Sequence, residues 1–271
     1  NPKIGISYNI NDKNNIYASV AVGNKEPNGD DLTKNYPAVR PGPETMLDVE
    51  SGYRYTANKL IINTTFYYMH YKNQLVLNGE IDNVGNPKRL NVDLSYRRGI
   101  EFELNYLVSK FFNLQGNITL SQNKILNFNE IVSNYDSNYN PISPKINKYS
   151  STDISFSPNV ISSAQLIIKP IKNLEFSFIN KYVARQYLDN TTSKNRSINP
   201  YNIVDFKINY LIKTKSIKEI SLMLSINNIL NTKYETNGYT YSYIYDNVMF
   251  TKNFLSPAAP INFLGGIIIK I

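Results

Sequence analysis

Phe263-Leu264-Gly265-Gly266-Ile267-Ile268-Ile269-Lys270-Ile271 ends the chain, and its spacing decides the fold. Counting back by twos puts Ile271, Ile269, Ile267, Gly265, Phe263 and Ile261 on one face, with Lys270, Ile268, Gly266, Leu264 and Asn262 on the other. Successive side chains of a strand point to opposite faces. A strand that stays apolar on one face to its last residue suits a wall with lipid on one side and water or protein on the other.

The same period of two recurs upstream. Ile100, Phe102, Leu104 and Tyr106 interleave with Glu101, Glu103 and Asn105, while Val204, Phe206, Ile208, Tyr210 and Ile212 interleave with Asp205, Lys207, Asn209 and Leu211. Ile220, Leu222, Leu224 and Ile226 repeat the pattern, as do Leu47, Val49, Tyr53 and Tyr55 against Asp48, Glu50, Gly52 and Arg54. No 3.6-residue period holds for three turns, so the chain reads as strands.

Composition narrows the class. The chain is 42% hydrophobic, yet its apolar residues are alternating singles with 22 Tyr and 12 Phe among them. Polar residues at the intervening positions are what an aqueous or plugged lumen requires. No stretch approaches the roughly 20 apolar residues of a spanning helix. The absence of Cys removes disulfides and thiolate metal sites. The formal charge of +8 does not imply nucleic acid, because Lys and Arg are scattered without a basic face or binding motif. Asn1 opens the chain without Met or signal sequence, which suggests a fragment or a processed piece.

The pattern predicts about eleven strands, near 3–10, 15–23, 45–57, 59–75, 95–108, 112–126, 160–170, 173–185, 201–213, 217–232 and 260–271. Short turns at Asn11–Asn14, Ala57–Asn58, Ser109–Phe111, Ile171–Lys172 and Thr214–Ser216 alternate with long loops at about 24–44, 76–94, 127–159, 186–200 and 233–259. Short turns on one rim and long loops on the other mark an outer-membrane barrel. Such barrels normally have even strand counts, and eleven is half of the 22 found in transporters with a plugged lumen. The expected fold is therefore all-β, a transmembrane antiparallel β-barrel of which residues 1–271 form the carboxyl-terminal half, without a second domain.

Three local sequences carry a family resemblance. Ser225-Ile226-Asn227-Asn228-Ile229-Leu230-Asn231-Thr232-Lys233-Tyr234 resembles the Asn-Asn strand end of TonB-dependent outer-membrane receptors, in particular those of the Bacteroidetes type. Ser95-Tyr96-Arg97-Arg98-Gly99-Ile100-Glu101 is similar to a strand start of that family, and Lys25-Glu26-Pro27-Asn28 followed by Arg40-Pro41-Gly42-Pro43-Glu44 to the elements flanking one of its outer loops. Ile271 departs from the family's usual terminal aromatic residue. The resemblance implies an outer-membrane location in a Gram-negative cell, contact with outer-membrane lipid, and energised import of a scarce small-molecule nutrient. A ferric siderophore or other iron complex is expected first, with haem, cobalamin or a saccharide as alternatives. It also implies a plug domain and a TonB energising complex, neither carried by these residues. A passive or adhesive barrel and a soluble extracellular β-sandwich are the competing readings.

Candidate site residues follow from position. Arg54, Glu101, Glu103, Asp205 and Lys207 fall on the polar face and are expected to hold the plug. Glu101 and Glu103 lie about 7 Å apart, as two residues of strand rise require; a plug contact explains them without acid and base chemistry. Arg40, Tyr135, Tyr139, Tyr239, Tyr241 and Tyr245 are expected to meet ligand from the outer loops, since tyrosines offer a broad face with a polar tip. His70, in an aromatic strand, has no carboxylate or Cys company and reads as a rim residue. The sequence shows no phosphate cradle, Ser/His/Asp set or zinc spacing, and implies no cofactor, resident metal or enzyme.

Overall fold

The structure is a computed structural model that describes residues 1–34, 40–82, 86–214 and 217–270. Parts of the expected loops 24–44 and 76–94, of the turn at Thr214–Ser216, and the terminal Ile271 lie outside the described residues. The strands are β1 (Lys3–Asn11), β2 (Asn14–Lys25), β3 (Glu44–Ala57), β4 (Leu60–Ile81), β5 (Pro87–Ser109), β6 (Phe112–Tyr135), β7 (Pro141–Asp153) and β8 (Val160–Ile168). They continue as β9 (Leu174–Val183), β10 (Gln186–Tyr187), β11 (Ser197–Ile198), β12 (Tyr201–Ile212), β13 (Glu219–Asn227), β14 (Glu235–Tyr245), β15 (Val248–Pro257) and β16 (Asn262–Lys270). Among the described residues one short helix, α1 (Gly29–Lys34), follows β2.

Eleven of these strands form one continuous path, β1-β2-β3-β4-β5-β6-β8-β9-β12-β13-β16. All neighbours are antiparallel. The path is the predicted wall. β1 and β16 each have one neighbour, so the sheet is open among the described residues.

Register separates the faces across the full width. One row reads Ile6, Ala18, Ser51, Phe66, Ile100, Leu120 and Val160. Another reads Leu60, Tyr106, Leu114, Leu166, Phe178, Phe206, Ile226 and Phe263. The opposite face carries Asn9, Asn15, Arg54, Asn63, Glu103, Asn117, Ser163 and Lys181 in a single row. Slipping any strand by one residue would exchange these faces, which is why the pattern pins the register.

Two features correct the sequence reading. The regions expected as long loops at 76–94, 127–159 and 233–259 are largely strand. β4, β5 and β6 run on to Ile81, from Pro87 and to Tyr135, and the two additional hairpins are β6–β7 and β14–β15. Away from the membrane the ladder still satisfies backbone groups, so nothing compels it to stop at the lipid boundary. Asn73 and Asn127 adopt left-handed φ of 56° and 55°, and each ladder omits one pair there before resuming. Asn tolerates that conformation better than most side chains, so a reading that treats Asn as a loop signal misplaces the strand ends.

The core sits beyond the membrane rows, not in the wall. Val76, Ile125, Phe128 and Ile154 pack together with Val92 and Tyr149.

Candidate functional site

The outer extensions converge on a buried ionic knot. Arg196, in the segment between β10 and β11, has a side chain only 9% exposed. Its Nη1 donates to Glu130 Oε1 of β6 and to Asp189 Oδ2, the latter at 2.9 Å. The second oxygen of Glu130 accepts from Asn147 Nδ2 at 2.9 Å and from the Tyr149 hydroxyl at 3.1 Å, both on β7. Asp189 Oδ1 accepts from the Thr191 amide and hydroxyl. Every charge in the cluster therefore has partners, the condition under which buried charges persist.

The neighbouring Asn190 is fully buried. Its Oδ1 accepts from the Ser155 amide at 2.8 Å, and its Nδ2 donates to the Leu77 carbonyl at 2.8 Å. Segment 186–198 is thereby fixed to β4, β6 and the turn after β7. Burial and the adjacent Glu130 carboxylate push the Tyr149 phenol up to about 12. For Arg196 burial opposes the charge, but the hydrogen bonds to Glu130 and Asp189 prevail and hold its pKa above the ordinary value.

The β14–β15 hairpin reaches across to this assembly. Tyr243, Ile244 and Tyr245 pair in parallel with Ser133, Asn134 and Tyr135 of β6. The Asp246 amide donates to the Tyr135 carbonyl at 3.1 Å, the Tyr245 hydroxyl donates to the Ser137 carbonyl at 3.0 Å, and the Tyr139 and Tyr245 rings stack at 4.2 Å. Ser242 and Ile244 face inward and are buried. Tyr239, Tyr241 and Tyr243 stand on the other face, where Phe254 and Phe250 oppose Tyr239 and Tyr243. Ring stacking at 4.8 Å for Tyr239–Phe254 and 5.4 Å for Tyr243–Phe250 makes this an aromatic platform, with Tyr241 6.1 Å from Phe254.

The predicted outer residues thus divide. Tyr135, Tyr139 and Tyr245 meet at the joined tips, Tyr239 and Tyr241 share the platform, and Arg40 is exposed before β3. The predicted plug-holding residues share one face of the wall, since Arg54 and Glu103 flank Asn63 in one row while Asp205 and Lys207 lie on the same face of β12. Glu103 accepts from Asn63 Nδ2 at 3.0 Å, and Arg54 lies 4.7 Å over the Tyr17 ring. Asp205 accepts from the Asn228 amide at 2.8 Å, so one of its oxygens serves the wall itself.

That bond explains the Asn-Asn motif. Asn228 and Asn231 both have left-handed φ, and Asn228 is buried. Its side chain donates to the Thr232 carbonyl and accepts from the Thr232 amide, while Asn231 Oδ1 accepts from the Ile261 amide. The motif is a hydrogen-bonded exit from β13. Glu130, Asp189 and Arg196 were missed by sequence reasoning; the only local signal was an uninterrupted Asp189-Asn190-Thr191-Thr192 run, which reads as an exposed turn. Among the described residues no group of His, Asp and Glu is arranged to hold a metal.

A family model described as "TonB dependent receptor-like, beta-barrel" matches residues 1–229. Among solved structures, the siderophore receptor PiuA from Acinetobacter baumannii matches with a TM-score of 0.71 at 17% identity, over 98% of this chain and 35% of that one. The ferric yersiniabactin uptake receptor FyuA from Yersinia pestis matches with 0.67 at 14% identity, over 98% and 36%. The copper transporter OprC matches with 0.70 at 12% identity, over 98% and 39%. At such identities the likeness is one of fold. The chain spans little more than a third of each of these structures. No curated protein sequence matches it.

Proposed function

The chain belongs to the TonB-dependent receptor family of Gram-negative outer-membrane barrels, and from that premise we propose that it forms the carboxyl-terminal half of a barrel importing an iron complex, a ferric siderophore before other cargoes. The observation that carries this reading is the two-faced eleven-strand wall joined to an aromatic rim. The apolar face suits lipid, and the opposite face suits a plug supplied by another part of the receptor. Arg54, Glu101, Glu103, Asp205 and Lys207 are the residues proposed to hold that plug. Tyr239, Tyr241 and the tip residues Tyr135, Tyr139 and Tyr245 are proposed to meet the cargo, as is Arg40.

Of the three neighbours named above, one is a siderophore receptor and one a ferric yersiniabactin uptake receptor, which supports the iron-complex reading. The copper transporter among them shows that this fold also carries other cargo, and keeps haem, cobalamin or a saccharide as the second reading. The Bacteroidetes-type branch remains part of the proposal on the strength of the Asn-Asn motif. The test is uptake of radiolabelled ferric siderophores by cells carrying the complete receptor, with and without the TonB complex. Energy-dependent uptake is expected. Accumulation that ignores TonB would replace active import with a passive barrel.

A further inference from the structure

On the apolar face of the wall, paired positions below one particular row carry no charge. That row runs Ile4, Val20, Val49, Tyr68, Arg98 and Gln122. Arg98 is the first charged side chain met on the way from the short turns to the rim. It stands ten residues from Val108, at the foot of the same face of β5; at about 3.3 Å per residue and a tilt near 40°, this is about 25 Å of membrane depth. An apolar band of these barrels is about 25 Å tall, so Arg98 reaches the outer headgroup level.

Arg98 is held there without a carboxylate among the described residues. Its Nε donates to Gln122 Oε1 at 2.9 Å, and its guanidinium lies 5.4 Å over the Tyr96 ring. The Tyr96 hydroxyl donates to the same Gln122 oxygen at 3.0 Å, and Tyr68 stacks on both Tyr96 and His70. The next rows toward the rim add His70, Lys124 and Lys72 on this face, and the one carboxylate in those rows among the described residues, Asp153, is engaged by Lys124 at 2.8 Å. Beneath Arg98 a shallow groove is lined by Phe66, Tyr68, Ile100, Leu120 and Val160.

We infer that this patch binds the phosphorylated headgroup of an outer-leaflet glycolipid, with Arg98 on the phosphate and an acyl chain along the groove. The inference rests on the outer-membrane reading above. A planar guanidinium with free donors matches a phosphate bidentately. The apolar floor below and excess positive charge at the headgroup level fit an amphiphile better than a free anion, which would gain nothing from the groove. Gln122 and Tyr96 fix the guanidinium before any lipid arrives, which lowers the ordering cost of binding.

The test compares lipid A with chemically dephosphorylated lipid A, each added to the complete receptor in detergent and measured by native mass spectrometry. Lipid A should bind the wild type about tenfold more tightly than it binds Arg98→Gln, a difference of 1.4 kcal/mol. Dephosphorylated lipid A should bind both proteins equally weakly, and Arg98→Lys should fall between. Millimolar inorganic phosphate should leave lipid A bound; displacement by phosphate would overturn the lipid site in favour of a soluble-anion site. Equal binding of the two lipids, or an Arg98→Gln protein indistinguishable from wild type, would also overturn it. Should Arg98→Gln fail to insert, His70→Gln with Lys72→Gln is expected to weaken lipid A in the same direction, and no change there counts against the site. Heat-modifiable migration and outer-membrane fractionation of the wild type test the membrane reading separately.

Discussion

Replacing Arg196 by Gln should loosen the mouth and spare the wall. Both carboxylates that Arg196 bridges are buried, Glu130 with a side chain 3% exposed and Asp189 with one 12% exposed. Removing the cation leaves Glu130 and Asp189 facing each other in a site of low water content. Breaking a buried ion pair by deleting one partner costs about 3 to 5 kcal/mol. The knot ties segment 186–198 to β6 and β7 and makes no direct contact with the paired rows of the membrane wall, so the loss should appear as local opening and not as global unfolding. Hydrogen exchange of the complete receptor should then accelerate by about 10² to 10⁴-fold in peptides covering 127–153 and 186–200. Peptides from 45–57 and 95–108 should not change. Adding Glu130→Gln to Arg196→Gln should restore part of the protection, because one uncompensated charge is removed. Protection unchanged within a few-fold at the knot, or lost equally in the wall, would refute the assignment of the knot as the local fastener.

The Tyr149 phenol has a raised pKa in the folded protein, so its contribution to stability is complete below its unfolded value near 10 and is lost as pH rises toward about 12; exchange at 127–153 should accelerate across that window, and a Tyr149→Phe variant should lack the transition. Tyr139→Ala removes a ring stacked at 4.2 Å on Tyr245, worth about 0.5 to 1.5 kcal/mol beyond burial; amides of 133–135 and 243–245 should exchange up to about tenfold faster, and no acceleration would show that the parallel pairing holds the tips by itself. Glu101→Ala with Glu103→Ala in the complete receptor should raise exchange in the plug more than in the barrel, and an unchanged plug would remove these carboxylates from the proposed contact.

The wall was legible because two constraints act on each of its strands at once. Lipid and lumen demand opposite chemistry on alternate residues, and the short turns recur where Asn11, Ala57, Ser109 and Ile171 suggest them. Gly99 shows what such a pattern conceals. A Cβ there would stand 2.5 Å from the Leu120 carbonyl and 2.6 Å from the Tyr67 hydroxyl, so the glycine in the Arg-Arg-Gly-Ile-Glu stretch answers a close approach that spacing alone does not reveal. The extensions were illegible for a different reason. Beyond the lipid, Pro141–Lys145 is exposed on both faces, and alternation no longer sorts residues by environment. The knot was hidden by distance: Glu130 and Arg196 are 66 residues apart and find each other only through the strand order. Asp189, Asn190 and Thr191 look like an exposed turn because the chain does not show which backbone groups will satisfy them.

The two fastenings of the mouth bear on how a cargo could pass. Opening the rim at β14–β15 must separate the parallel pairing with β6, and moving segment 186–198 must also break the knot. The proposed plug, displaced by itself, would leave all of these contacts intact. The chain has no cysteine of its own, so Ser133→Cys with Tyr243→Cys places a single thiol pair across neighbouring positions of the parallel pairing. Oxidised to a disulfide in the complete receptor, this pair should leave energised uptake within twofold of its reduced form. Uptake abolished by oxidation and restored by reductant would mean that the joined tips must part for transport, and would refute the view that they form the fixed side of the mouth.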